Sequence, residues 1–238
     1  MRPTIVLVHG AFAESSSWDP VIDRLLDAGH PVIAAANPLR ALATDAAAVA
    51  DVVRAVEGPV VLAAHSYGGA VMSNVDPDAG EIVGLVYVNG FAPEAGESCF
   101  ELAGKFPGSM LGETTLRPVP RRDGTTDLYI IEDRFHELFC ADVPAQQAAR
   151  LATTQRPATQ EALVEPSGER PLWKEVPSWF LVGEDDRIIP AALQHYMADR
   201  AGTHRTIEIP GASHGATLSR PGATADLILE AATSPVAV

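Results

Sequence analysis

Apolar residues in this chain fall into short unbroken runs, separated by amphipathic stretches of helical period. Thr4 to Val8 is a continuous, largely β-branched run, the pattern of a strand buried on both faces of a parallel sheet. Ser16-Ser17-Trp18-Asp19 predicts a helix start with a capping-box-like Ser/Asp pair. Trp18, Ile22, Leu25 and Leu26 supply that helix's apolar face, and Gly29 with Pro31 ends it. Pro31 to Ala35 reads as a second strand. Thr44 is expected to cap a helix whose Val49, Val52, Val53 and Val56 form one stripe, closed by Gly58-Pro59. Further strands are predicted at Val60–Ala64, Gly84–Val88, Ser178–Val182 and Arg205–Ile209, with helices from Pro190 and Leu218. This alternation predicts an α/β fold, a mostly parallel sheet flanked by helices on both faces.

Between the two halves the texture changes. Residues 93–172 scatter Gly, Pro and charges, and the helical pieces are short: Arg134–Phe139, Pro144–Thr153 and Thr159–Val164. A stretch of roughly 80 residues is too long for a simple connection in a compact domain. An inserted, mainly helical cap over residues 93–172 is expected, with residues 1–92 and 173–238 forming the core. The stretch carries Phe100, Phe106, Tyr129, Phe135 and Phe139, which suit either a cover over an apolar pocket or a small core of the cap's own. Phe12, Phe91, Phe135 and Phe139 are the candidates to line a substrate site.

Composition narrows the class. The chain has 238 residues, 47% of them hydrophobic, and a net charge of −14. That length suits one domain with a modest insertion. The acidic surface argues against nucleic acid and anionic membranes as partners. No apolar run approaches the ~18 residues of a spanning helix. The apolar N-terminal run stops at His9-Gly10, too short for a signal-peptide core, so a cytoplasmic location is expected. Two cysteines do not make a disulfide framework. His136-Glu137-Leu138-Phe139-Cys140 lacks the second histidine of a zinc-protease helix, and no metal is expected.

The most informative stretch is Ala64-His65-Ser66-Tyr67-Gly68, where an apolar strand meets a helix. This is the setting of a nucleophile elbow, whose tight, strained turn requires small residues two before and two after the serine. Ala64 replaces the first glycine of the usual pattern. A serine hydroxyl needs a base that is itself oriented by a third group. The histidine candidate is His214, in a Gly-containing loop past the last strand. His9 and His65 flank the site and suit structural hydrogen bonds. The acid should lie in Gly183-Glu184-Asp185-Asp186-Arg187. Asp186 is favoured by its spacing from the glycine and the following proline, and Asp185 is the alternative. Backbone N–H groups of Tyr67 and Ala11 are the expected oxyanion donors, each typically worth ~2.7–4 kcal/mol to a transition state.

Val8-His9-Gly10-Ala11, Ala64-His65-Ser66-Tyr67-Gly68-Gly69, Gly183-Glu184-Asp185-Asp186 and Gly211-Ala212-Ser213-His214 together resemble an α/β-hydrolase. The resemblance spans nearly the whole chain and is similar to the small capped branch of plant methylesterases and hydroxynitrile lyases. It implies Ser66 as nucleophile, His214 as base, Asp186 as its partner, and hydrolysis through an acyl-enzyme without a cofactor. Lyases of this kind carry threonine where this chain has Gly10, and lysine where it has Gly215, so lyase activity is disfavoured. Ser66 also argues against epoxide hydrolases and dehalogenases of the fold, which need aspartate there. The expected substrate is a small, rather apolar ester or lactone, with a homodimer left open. C–C bond hydrolysis, perhydrolysis or acyl transfer by the same triad, and a ligand receptor without turnover, are the alternatives.

Overall fold

A computed structural model describes residues 1–234. The chain runs β1 (Thr4–Val8), α1 (Asp19–Asp27), β2 (Val32–Ala35), α2 (Leu42–Arg54), β3 (Val60–His65), α3 (Tyr67–Ser73) and β4 (Ile82–Val88). An inserted segment follows, with α4 (Cys99–Ala103), β5 (Leu116–Pro120), β6 (Thr126–Ile130), α5 (Glu132–Phe139), α6 (Ala145–Thr154), β7 (Ala158–Thr159) and α7 (Gln160–Val164). The chain then completes its sheet with β8 (Ser178–Gly183), α8 (Ala191–Ala201), β9 (Arg205–Ile209), α9 (Ala216–Ser219) and α10 (Pro221–Thr233).

Six strands form one parallel sheet in the order β2-β1-β3-β4-β8-β9. Their alternate side chains feed two cores, which is why the runs are apolar throughout rather than alternating. Ile5, Leu7, Val61, Ala63, Trp179 and Leu181 pack on one face against Trp18, Val21 and Leu25 of the α1 region and Leu227 and Ile228 of α10. Val6, Val8, Leu62, Ala64, Tyr87 and Phe180 point to the other face, where α2, α3, α8 and the inserted segment lie. No helix among the described residues is long and apolar enough to cross a membrane.

Two local expectations need correction, and the mainly helical inserted segment has an addition. The Ser16/Asp19 capping pair does not form: residues 15–18 make a 3-10 turn, and the Ser16 hydroxyl donates to Glu14 instead. Thr44 is not a cap either; α2 starts two residues earlier, and the Thr44 hydroxyl folds back onto the Ala41 carbonyl (3.0 Å). The inserted segment holds a three-stranded antiparallel sheet, β5-β6-β7, beside its helices. Its aromatics also divide: Phe135 and Phe139 are buried, whereas Phe100 is 70% exposed.

Candidate active site

Ser66 occupies the junction between β3 and α3, with φ 56° and ψ −127°. A non-glycine residue held there is strained, and the strain persists only because its surroundings over-determine it. The Ser66 carbonyl accepts N–H groups from Gly69 (2.9 Å) and Phe91 (3.1 Å). Gly68 permits the close crossing of α3 over β1, since a Cβ there would sit 2.5 Å from the Val8 carbonyl oxygen. Gly10 meets the serine from the other side, where a Cβ would lie 2.6 Å from Ser66 Cβ.

Three side chains from three strand ends meet at this point. Ser66 Oγ–H donates to His214 Nε2 (2.9 Å), and His214 Nδ1–H donates to Asp186 Oδ2 (2.8 Å). The carboxylate fixes which ring nitrogen holds the hydrogen and leaves Nε2 as the acceptor for the serine proton. Asp186 is itself held by the N–H groups of Ile188 (2.8 Å) and Ile189 (2.9 Å) and by the Gln194 amide (3.0 Å). Asp185 is exposed, and Asp186 is buried. Of the two carboxylates, only Asp186 reaches the imidazole.

The His214 loop is fastened from behind. Asn89 Nδ2 donates to the carbonyls of Ser213 (2.8 Å) and His214 (3.0 Å), and His65 Nε2–H donates to the His214 carbonyl (2.8 Å). Burial, and next the neighbouring His214, hold the His65 pKa far below its ordinary value, so this ring stays neutral. On the inserted segment, Asp142 accepts the Ser213 hydroxyl and pairs with Arg220 (3.0 Å). His9 lies fully buried at the end of β1, and burial lowers its pKa to about 4. Its Nε2 accepts the Asn37 N–H (3.2 Å) while its carbonyl accepts the Asn37 amide (2.9 Å). That pair steadies the turn carrying Ala11, which is buried beside the site. The next residue, Phe12, has φ 62°.

Phe12, Phe135 and Phe139 line one small crevice, together with Ser17, Leu151 and Leu218. The Phe135 and Phe139 rings stack at 4.9 Å, and Phe139 presents its ring edge-on to His214 at 5.2 Å. Phe91 does not line that crevice; its N–H holds the Ser66 carbonyl instead. A Cβ on Gly215 would meet the Phe139 carbonyl oxygen at 3.1 Å and Cys140 Cβ at 3.2 Å. Among the described residues no group of three or more His, Cys, Asp or Glu side chains is placed to hold a metal.

Asn89 and Gln194 escaped the sequence analysis. Asn89 did carry a signal, as a polar residue ending the apolar run Leu85-Val86-Tyr87-Val88. Gln194 carried none; it is one polar residue on a helix of mixed composition.

The match to known proteins extends over almost the whole chain. The model of the alpha/beta hydrolase family matches residues 5–227. A pyrethroid hydrolase of Sphingobium wenxiniae is 27% identical over 252 residues, covering 97% of this chain and 88% of that protein. Among solved structures, polyneuridine aldehyde esterase superposes with a TM-score of 0.80 at 19% identity, covering 97% of this chain and 99% of its own. An extracellular alpha/beta-hydrolase from a Paenibacillus species gives 0.79 at 22% identity, over 98% and 100% of the two chains.

Proposed function

Because the chain belongs to the alpha/beta hydrolase family, we propose that it hydrolyses a small, rather apolar carboxylic ester or lactone through an acyl-enzyme. The observation that carries this reading is the line from Asp186 through His214 to Ser66, at 2.8 and 2.9 Å. His214 Nε2 takes the proton as Ser66 Oγ attacks the ester carbonyl. Asp186 stabilises the imidazolium that forms and keeps the ring in its productive tautomer. The N–H groups of Ala11 and Tyr67 hold the tetrahedral oxyanion. Collapse expels the alcohol, which receives the proton from His214. Water then enters and attacks the acyl carbon as it gives a proton to His214; the second collapse releases the acid, and His214 returns the proton to Ser66 Oγ.

Residues 93–172 act as the cap in this reading, and Phe139, edge-on to His214 at 5.2 Å and stacked on Phe135, gives the site an apolar wall. The esterase and the pyrethroid hydrolase to which the chain is similar support ester chemistry by their names. Cyanohydrin cleavage is disfavoured because the chain has Gly10 and Gly215, and so no threonine hydroxyl and no lysine cation, where lyases of this kind carry them.

Intact-mass analysis after treatment with an activated phosphonate ester tests the reading. One adduct on Ser66, lost in Ser66→Ala together with hydrolysis of p-nitrophenyl esters, is the expected result. Full hydrolysis by Ser66→Ala would overturn it.

A further inference from the structure

We propose that Asp45 is a positioning residue for ester cleavage, acting through the phenol of Tyr67 on the oxyanion donor that follows Ser66. This rests on the reading of Ser66 as nucleophile and Tyr67 N–H as oxyanion donor. Tyr67 is the first residue of α3, and the first N–H groups of a helix have no acceptor within it. The peptide between Ser66 and Tyr67 also follows a residue at φ 56°. The planar peptide ties this N–H to the Ser66 carbonyl, which the Gly69 and Phe91 N–H groups hold, and its remaining freedom is set by whatever holds Tyr67.

The ring provides that hold. Tyr67 is buried, and its phenolic O–H donates to Asp45 Oδ2 at 2.8 Å. Asp45 is fully buried in the first turn of α2, and both of its oxygens accept the Arg40 N–H, at 3.0 and 3.1 Å. Arg40 is fixed in turn: its guanidinium donates to the carbonyls of Pro38 (3.1 Å) and Pro157 (2.7 Å) and to Asp127 (2.6 Å). Its carbonyl accepts the Thr159 hydroxyl. The ring is thus pinned at its far end by a carboxylate anchored on α2 and, through Arg40, on β6 and β7.

The chemistry of the pair fits this role. A buried carboxylate is costly even when paired, and two apolar side chains of similar volume would pack at no greater cost. The carboxylate adds direction, because a hydrogen bond fixes the ring where apolar contact would let it slide. Burial, reinforced by Asp45, pushes the Tyr67 phenol far above its ordinary pKa, so it remains a donor at every pH of interest.

The test compares Tyr67→Phe, Asp45→Asn and the double variant with the wild-type protein. It uses p-nitrophenyl ester turnover and inhibition by an aryl trifluoromethyl ketone. Ser66 Oγ adds to that ketone and its proton passes to His214, so the resulting hemiketal oxyanion reports on the donors directly. For Tyr67→Phe we expect kcat about tenfold lower, KM within about twofold, and ketone affinity weakened by the same tenfold. Asp45→Asn should give the same signature, and the double variant no more than either single change. Should Tyr67→Phe fail to fold, Asp45→Asn carries the comparison alone. An unchanged kcat, a kcat loss with undiminished ketone affinity, or additive losses would overturn the proposal. A wild-type protein with neither esterase activity nor a Ser66 adduct would overturn the parent reading as well.

Discussion

Asp186 and His214 are joined by a buried hydrogen bond of 2.8 Å, while Asp185, one residue earlier, is exposed. Asp186→Asn can turn its amide toward the ring and favour the wrong tautomer. Its kcat should fall by ~10⁴ on a p-nitrophenyl ester. Asp185→Asn should leave kcat unchanged. A large loss at Asp185 with a small one at Asp186 would transfer the role.

Gly10 and Ser66 form a second close pairing. A Cβ at position 10 would lie 2.6 Å from Ser66 Cβ and 2.8 Å from the His65 carbonyl oxygen. One of the two backbones must shift, and a shift approaching 1 Å at the nucleophile costs about 10² in rate. Gly10→Ala should therefore lose about two orders of magnitude in kcat. The overpacking should also remove about 1–3 kcal/mol of stability, read from urea unfolding. Normal turnover in this variant would show that the loop yields easily.

His9 makes stability depend on pH. Its folded pKa of about 4 lies below the ordinary value of 6.5, so the unfolded chain binds its proton first as pH falls. The stability it contributes is fully present above pH 6.5 and is lost progressively toward pH 4. The span corresponds to about 3 kcal/mol. His65 acts in the same direction, whereas Asp45, raised by burial, pulls the other way at the acid end. Urea midpoints should drop between pH 7 and pH 4.5, and less steeply in His9→Gln. Equal slopes in the two proteins would remove His9 from the account.

Asp127 ties the inserted segment to the core. Its buried carboxylate pairs with Arg40 (2.6 Å) and Arg121 (2.9 Å), and these two arginines hold its pKa below the ordinary value against the opposing effect of burial. Both arginines are partly exposed, so the loss in Asp127→Ala should be about 1–2 kcal/mol rather than that of a fully buried pair. Hydrogen exchange should quicken in β5, β6 and β7 and stay slow in β3. Uniformly unchanged exchange would show that other contacts hold the segment.

The parallel sheet could be read from the chain because strands buried on both faces leave unbroken apolar runs. Val60–Ala64 feeding His65-Ser66-Tyr67-Gly68 is the plainest instance. The β5–β6 hairpin could not. Pro118 and Pro120 interrupt its first strand, and only an edge position, where missing N–H groups face away from a partner, tolerates them. Asp45 was hidden for a different reason. On a helix with a valine stripe a carboxylate normally faces water, and only the approach of α3 reveals that this one is buried against Tyr67. His214 and Asp186 lie in glycine-marked loops and were visible. Their tethers, Asn89 and Gln194, depend on tertiary contacts across the chain and left little or no trace in local pattern.

The strand order β2-β1-β3-β4-β8-β9 also has a kinetic meaning. Ser66 and His214 stand 148 residues apart, just past β3 and beyond the edge strand β9. A chain folded only as far as β4 could form the serine turn but would have neither base nor acid. Closing so long a loop is slow relative to local helix formation. Recovery of esterase activity during refolding should therefore lag behind recovery of helical signal, and catalysis becomes a reporter of the last long-range docking in the molecule.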